Sequence, residues 1–208
     1  MVDTYQTIAR EARIEFKVKG SRFIGESRLT DDVEDAIGKL DAIRRREFAA
    51  THHCWAYRIG ADGTPVFKYS DDGEPGGTAG RPIFDALEGN AITNCLLVVT
   101  RYFGGTKLGT GGLARAYSET ARQTLDASGV KTCYHAVDYE LAMEFPFYNP
   151  VHQLLARLQA EITESHFTDR VRLRIAVRRS LAERLEQEYA ESTQGKATII
   201  RLGPTSAG

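Results

Sequence analysis

Five glycines fall within nine residues of the stretch RYFGGTKLGTGGLARAY, Arg101 to Tyr117: Gly104, Gly105, Gly109, Gly111 and Gly112. Glycine inside regular structure costs roughly 0.5–1 kcal/mol against alanine. Such a run therefore marks backbone that other residues cannot supply. It lies between an apolar run and a helical one, where backbone N–H groups and a helix N-terminus can hold an anion. Lys107, Arg101 and Arg115 would add positive charge. Equally, glycines let a helix and a strand approach closely, and spacing alone leaves both readings open. Walker A, GxxxxGK[ST], fails because Lys107 follows Thr106 and precedes Leu108. Gly109 to Ala114 matches G-x-G-x-x-A, but Gly109 lies ten residues past Val99. That is too far for a tight strand-to-helix turn, so no Rossmann fingerprint is read here.

A second stretch, YSDDGEPGGTAGRPI, runs from Tyr69 to Ile83. Asp71, Asp72 and Glu74 are of the type that collects Mg²⁺. The simpler reading is a solvated turn in which Ser70 or Thr78 caps the next element. One stretch is acidic and the other basic, each precedes a helix, and they are expected to share one concave surface. His52, His53 and Cys54 invite a metal or Cys–His reading. Adjacent strand residues point to opposite faces, so His52 and His53 do not share an ion, and one of them is expected to be a buried, hydrogen-bonded histidine. There is no Ser-His-Asp order, no HExxH and no carboxylate pair with a clear acid–base role. No metal and no cofactor are expected.

Arg172, Arg174 and Arg178 line one face of a strand further on. Alone they would suggest phosphate contacts. Glu140 and Glu144 on a neighbouring strand would neutralise them by cross-strand ion pairs. That face carries no aromatic between Val171 and Val177, so base stacking is not supported there.

The 208 residues allow one or two domains with a sizeable core. A formal net charge of -1 gives no global pull toward nucleic acid or membrane, so such binding must be local. The three cysteines, Cys54, Cys95 and Cys133, are scattered and lack CxxC spacing. That argues against a disulfide framework or structural zinc and fits a reducing cytoplasm. No apolar run approaches a membrane span, and the first residues do not resemble a signal peptide.

Periodicity supplies the elements that must position these residues. Ile14, Phe16 and Val18 alternate as a half-buried strand. Val33, Ala36, Ile37, Leu40 and Ile43 recur as a helix opened by Asp31, Asp32 and Glu34 and closed by Arg44 to Arg46, matching its dipole. His52–Gly60 and Thr64–Ser70 are strands about an Asp62-Gly63 turn. A helix follows Pro82 and stops at Gly89, Cys95–Thr100 is a buried strand, and Leu113–Ala127 is a helix ending at Gly129. The pattern then changes near residue 136. Leu141, Met143 and Phe145 mark a strand, and Asn149-Pro150 a helix start. Ile162–Phe167 and Val171–Val177 are strands, Ser180 to Glu183 is a capping box opening a helix, and Ala197–Arg201 is a closing strand. The order β-α-β-β-α-β is the ferredoxin-like split motif.

The two quoted stretches, with GSRFIG (Gly20–Gly25) and HHCWAYRIG (His52–Gly60), closely resemble the IMPACT family, bacterial YigZ type. The resemblance implies an α+β chain of two domains. Residues 1–136 would be an IMPACT-type domain with the ribosomal protein S5 domain 2-like fold, shared with elongation factor G domain IV. Residues 137–208 would be a ferredoxin-like domain resembling elongation factor G domain V. Gly76 stands where family members often have Ser, and Arg81 where Lys is common. Eukaryotic members carry a further N-terminal domain and restrain a kinase. This chain is expected to begin directly with the IMPACT domain, so that activity is not carried over, whereas a link to translation is.

The implied function is a non-enzymatic, translation-associated or regulatory protein of the cytoplasm that contacts RNA, the ribosome or a translation factor. The alternative is an enzyme holding a phosphorylated small molecule or nucleotide at the glycine loop, by analogy with the GHMP kinases that share the fold. The expected binding surface is His53, Asp71, Asp72, Glu74, Thr78, Arg81, Arg101, Tyr102, Gly104, Gly105, Lys107, Gly109, Gly111, Gly112 and Arg115. Lys17, Lys19, Arg22, Arg172 and Arg174 are further basic candidates.

Overall fold

The computed structural model describes residues 3–61 and 63–207, with the side chains of 204–207 left aside. The fold is α+β with two compact units. One is Tyr5–Thr132; the other runs from Cys133 and takes in Asp3 and Thr4. Asp62 of the expected Asp62-Gly63 turn lies outside the described residues, while Gly63 has φ +77°.

A short β1 (Thr4–Ile8) begins in the other unit and lies outside the first unit's sheet; the first unit then holds β2 (Ala12–Val18), β3 (Ser21–Leu29), α1 (Val33–Arg46), β4 (His52–Ile59), β5 (Val66–Ser70), α2 (Gly80–Gly89), β6 (Cys95–Tyr102) and α3 (Thr110–Ser128). The sheet order is β2-β3-β6-β4-β5, with every pair antiparallel. One face packs on α2 and α3 through Phe23, Cys54, Ala56, Leu97, Val99, Ile83, Leu87, Leu113 and Tyr117. The other buries Trp55, Tyr57, Leu96 and Val98 against Ala36, Leu40 and Ile43 of α1. Strands β4 and β6 are covered on both faces, which is why Cys95–Val99 reads as an unbroken apolar run.

Helix α1 has the ends its sequence suggests. Asp32 Oδ1 accepts from the Asp35 N–H at 2.8 Å, and Arg44 to Arg46 occupy the last turn. Two of those arginines are spent on carboxylates: Arg44 reaches Asp72, and Arg46 reaches Glu26 and Glu47. Glu47, just past the helix, also accepts from Arg13 and from Tyr102 at 2.8 Å. Burial works against its charge, but the bonds from Tyr102, Arg46 and Arg13 outweigh burial and hold the carboxyl below its usual value. A depressed folded pKa contributes stability above the unfolded value, and that stability is lost as pH falls through the folded one. Glu47→Gln should therefore cost stability at pH 7, with the gap to wild type closing as pH drops below about 4.5. Urea midpoints for both proteins from pH 7 to 3 check this, and a constant gap would contradict it.

The second unit contains β7 (Val130–Met143, which begins in the first), α4 (Phe145–Arg157), β8 (Glu161–Phe167), β9 (Val171–Arg178), α5 (Ala182–Ser192) and β10 (Thr198–Ala207). Its strands run β10-β7-β9-β8, all antiparallel, so the last strand returns beside the first as the ferredoxin-like motif requires. The core is Tyr139, Leu141, Leu173 and Ile175 against Val151, Leu154, Leu155, Leu185 and Tyr189. No helix among the described residues is long and apolar enough to cross a membrane.

Two helix starts of the second unit differ from expectation. Helix α4 begins at Phe145 with Glu144 as cap, and Pro150 lies inside it. Pro146 takes the early position that suits proline, and the N–H that Pro150 lacks would have pointed at its carbonyl. Ser180 does not form a capping box. It lies in a short 3₁₀ turn, and its hydroxyl donates to Asp3 Oδ2 at 2.5 Å, leaving α5 without a side-chain cap.

Candidate functional site

The two signature stretches meet at their bases rather than at their tips. Arg101, near the end of β6, donates through Nη1 to Glu74 Oε1 at 2.6 Å. Glu74 Oε1 also accepts from the Tyr117 hydroxyl on α3 at 2.8 Å. Cys54 Sγ lies 3.4 Å from the Tyr117 oxygen and 3.0 Å from the Asp71 carbonyl. The Arg101 guanidinium sits near the Phe23 and Phe103 rings, and its Nε has no partner. Both ion-pair side chains are nearly sealed, with 6% and 4% of their surface exposed. Burial pushes the Cys54 thiol and the Tyr117 phenol far up, so neither ionises near neutral pH. This core network ties β3, β4, β6, α3 and the acidic stretch together.

The acidic residues are equally committed. Asp71 Oδ1 accepts from Ala79 and Gly80 N–H at 2.9 and 2.8 Å, and Oδ2 from Gly77 N–H at 2.9 Å. Asp71 is thus the cap of α2, from eight residues upstream, where Ser70 or Thr78 was expected. Thr78 instead donates to the Pro75 carbonyl at 2.6 Å, and Ser70 Oγ accepts from Asp72 N–H at 3.1 Å. Asp72 Oδ2 accepts from His53 N–H at 2.7 Å, and its Oδ1 takes Arg44. His53 is buried and donates through Nε2 to the Glu47 carbonyl at 3.2 Å, while His52 Nδ1 donates to the Asp72 carbonyl at 2.8 Å. No group of three His, Cys, Asp or Glu among the described residues is placed to hold a metal ion. Asp71→Ala strips the acceptor from three N–H groups at once. It should cost about 2–3 kcal/mol, with Asp71→Asn milder because its amide oxygen still accepts. Urea denaturation of both variants checks the order.

The glycine stretch has two parts. Helix α3 starts at Thr110, three residues before Leu113, so Gly111 and Gly112 are first-turn helix residues and not loop. Gly109 is its N-cap and supplies no side-chain bond, and no acid stands in the first turn. Gly104, at the loop start, approaches Gly20 at the β2–β3 turn so closely that an added Cβ would lie 1.9 Å from the Gly20 carbonyl carbon. Its N–H donates to Ser21 Oγ at 3.2 Å.

The basic candidates divide by partner. Lys17 and Arg22 share Glu15, Arg81 pairs with Asp85 at 2.6 Å, and Arg101 is spent on Glu74. Arg22 also lies over the Tyr102 ring, 4.3 Å from its centroid. Lys19, Lys107 and Arg115 have no carboxylate partner among the described residues. Arg115 Nε donates back to the Gly111 carbonyl at 3.2 Å, which brings its guanidinium over the first turn of α3. Two cavities flank α3. One of about 710 Å³ lies against α2 between Pro82, Asp85, Ala114, Arg115, Ser118 and Arg122. The other, about 310 Å³, lies against β2 and is lined by Phe16, Val18, Lys19, Leu108, Gly112, Arg115, Ala116 and Glu119. Neither is lined by Asp72 or Lys107.

In the second unit, Arg174 pairs with Glu164 of β8 at 3.2 Å, although Glu140 stands opposite it in register on β7. Glu144, expected on the strand, is the α4 cap. Arg172 is exposed, and Arg178 stacks on Tyr134 with its guanidinium carbon 3.7 Å from the ring centroid. Sequence reading missed the site roles of Tyr117, Ser21 and Glu47. Only Tyr117 carried a signal, as a tyrosine on the apolar face of an amphipathic helix.

Comparison with known proteins agrees with this architecture. The family model described as the Impact N-terminal domain matches residues 19–125, and a domain of unknown function, DUF1949, matches 141–196. An IMPACT family member of Haemophilus influenzae is 34% identical over 90% of this chain and 92% of its own. IMPACT family member YigZ of Escherichia coli is 33% identical over 89% and 92%, respectively. A solved structure titled as an hypothetical protein superposes with TM-score 0.69 at 31% identity, covering 96% of this chain and 98% of that one. The signature stretches, the order of elements and these matches place the chain in the IMPACT family.

Proposed function

We propose that this chain is a translation-associated binding protein of the cytoplasm that holds RNA on the face where α3 begins. The observation that carries the reading is that three cations without a carboxylate partner among the described residues, Lys19, Lys107 and Arg115, stand about the α3 start. Lys19 and Arg115 line one cavity, and Lys107 adjoins Leu108 in its wall. By contrast, Arg13, Arg28, Arg44, Arg46 and Arg101 of this unit are drawn into ion pairs. Helix α1 compensates its dipole with Glu34 and Asp35, where α3 places no acid. A helix N-terminus with uncompensated cations over it is electrostatically costly, and a phosphate relieves that cost. RNA is preferred over other polyanions because family membership points to translation. The sequestered Cys54, Tyr117 and Glu74 favour binding over catalysis.

Phosphate contacts release counterions, so affinity should fall with salt at a log–log slope of roughly -0.7 per phosphate on single strands. Lys107→Ala with Arg115→Ala should weaken binding to all sequences and flatten that slope by about 0.7 for each phosphate no longer held. The measurement is a titration of single-stranded RNA at low and moderate salt. Unchanged affinity and slope in the double variant would remove this face, and no binding at low salt would point to a protein partner instead.

A further inference from the structure

The smaller cavity beside α3 has a composition that bare phosphate binding does not require. Phe16 and Val18 come from the end of β2, and Leu108 and Ala116 from either side of the α3 start. Phe16, Val18 and Leu108 pack on the core from outside and stay partly open to solvent. Lys19 and Arg115 stand at the same cavity. Glu119 is there too and stays ionised, its carboxyl held down to about 2 by Arg122 at 2.6 Å and Gln123 at 2.7 Å, so it offsets one of the two cations and Arg122 draws it to the far side. With two cations against one carboxylate, the cavity lining carries a net positive charge over an apolar floor with one aromatic ring. Gly112 lines the cavity beside Leu108, and an added Cβ there would come 3.2 Å from Leu108 Cβ, so a side chain at this position would crowd that wall.

A volume of about 310 Å³ is at the small end for ligand sites. It has room for one ring system with its charged group, not for a helix or a folded partner. We infer that this cavity receives one unstacked nucleotide of single-stranded RNA, its base against Phe16 and Leu108 and its phosphate between Lys19 and Arg115. Splayed bases stacked on aromatic side chains are the usual way single-stranded RNA is read. Stacking is sequence-tolerant, because every base has a π-face. The inference rests on the RNA reading above and adds where a base goes.

The test separates the two. A fluorescein-labelled single-stranded decauridylate is titrated by anisotropy at several salt concentrations. Phe16→Leu keeps an apolar side chain but removes the ring, and Gly112→Leu fills the opening. Both should weaken binding about tenfold while leaving the salt slope unchanged, because stacking releases no counterions. Circular dichroism melts establish that each variant is folded; as the two act on different elements, one folded variant suffices. A 4-thiouridine probe should crosslink to a peptide containing Phe16 or Leu108. Wild-type affinity in whichever of these variants fold, with weakened binding in Lys107→Ala/Arg115→Ala, would overturn the base pocket and leave the RNA face standing. Wild-type behaviour in all three, or no binding at low salt, would overturn both.

Discussion

Replacing Glu74 by alanine is expected to cost the first unit about 3–5 kcal/mol, the usual penalty for breaking a buried ion pair from one side. At this size that corresponds to a fall in Tm of roughly 10–20 °C. The reason is the charge left behind. Arg101 is sealed between Phe23 and Phe103, and among the described residues its Nε lacks a partner and its guanidinium has, beyond Glu74, only Ser21 Oγ at 3.4 Å. Tyr117 would lose its acceptor in the same step. Glu74→Leu combined with Arg101→Met removes both charges and should recover most of the loss, since apolar replacement of a whole buried pair is often neutral. Trp55, the single tryptophan, lies in this unit and reports its unfolding separately. Equal losses in the single and double variants would show that packing, not buried charge, sets the cost.

Legibility of the fold in the sequence depends on how local each determinant is. The alternation of Ile14, Phe16 and Val18 and the 3.6-residue recurrence from Val33 to Ile43 are written in neighbouring residues, and strand and helix appear there as expected. The sequence signals the α3 start at Leu113, three residues late, because Gly111 and Gly112 lower helix propensity, yet they cost little in a first turn whose N–H groups have no helical partner. Asn149-Pro150 drew attention from Pro146 because Asn before Pro is the stronger local signal; the burial of Val151 and Leu154 decides the helix instead. The site was less legible. The spacing of Asp71, Asp72 and Glu74 does not reveal that the first caps a helix and the last neutralises an arginine on another strand. Those partners, Gly80 and Arg101, lie 9 and 27 residues away. Ser180 and Asp3 are farther still, separated by 177 positions. Unpaired cations cannot be told from paired ones without knowing which carboxylates are near. Lys17 and Lys19 look alike in sequence, but only Lys17 finds Glu15.

Three glycines of the opening stretch should respond to alanine in three ways, because each is glycine for a different reason. At Gly104 the constraint is space. The new Cβ would lie 1.9 and 2.0 Å from the Gly20 carbonyl carbon and oxygen. These are backbone atoms that cannot rotate aside, so the β2–β3 turn and the loop must part. Overpacking of this kind typically costs about 1–3 kcal/mol, and Gly104→Ala should reach or pass the upper end. At Gly105 the constraint is conformation. Its φ is +84° with nothing within 4 Å, so alanine meets only the left-handed penalty, about 1–2 kcal/mol. At Gly111 neither constraint holds. It is helical, without positive φ, and its surroundings are empty. Gly111→Ala should therefore stabilise by about 0.4–1 kcal/mol through the unfolded chain. A glycine that stability does not require calls for another reason, and close approach of a phosphate to the first-turn amides supplies one. The same variant should then bind RNA more weakly while melting higher. Urea denaturation and the RNA titration on one set of proteins read both quantities. Loss of stability in Gly111→Ala, or higher stability with undiminished RNA affinity, would detach that glycine from the binding face.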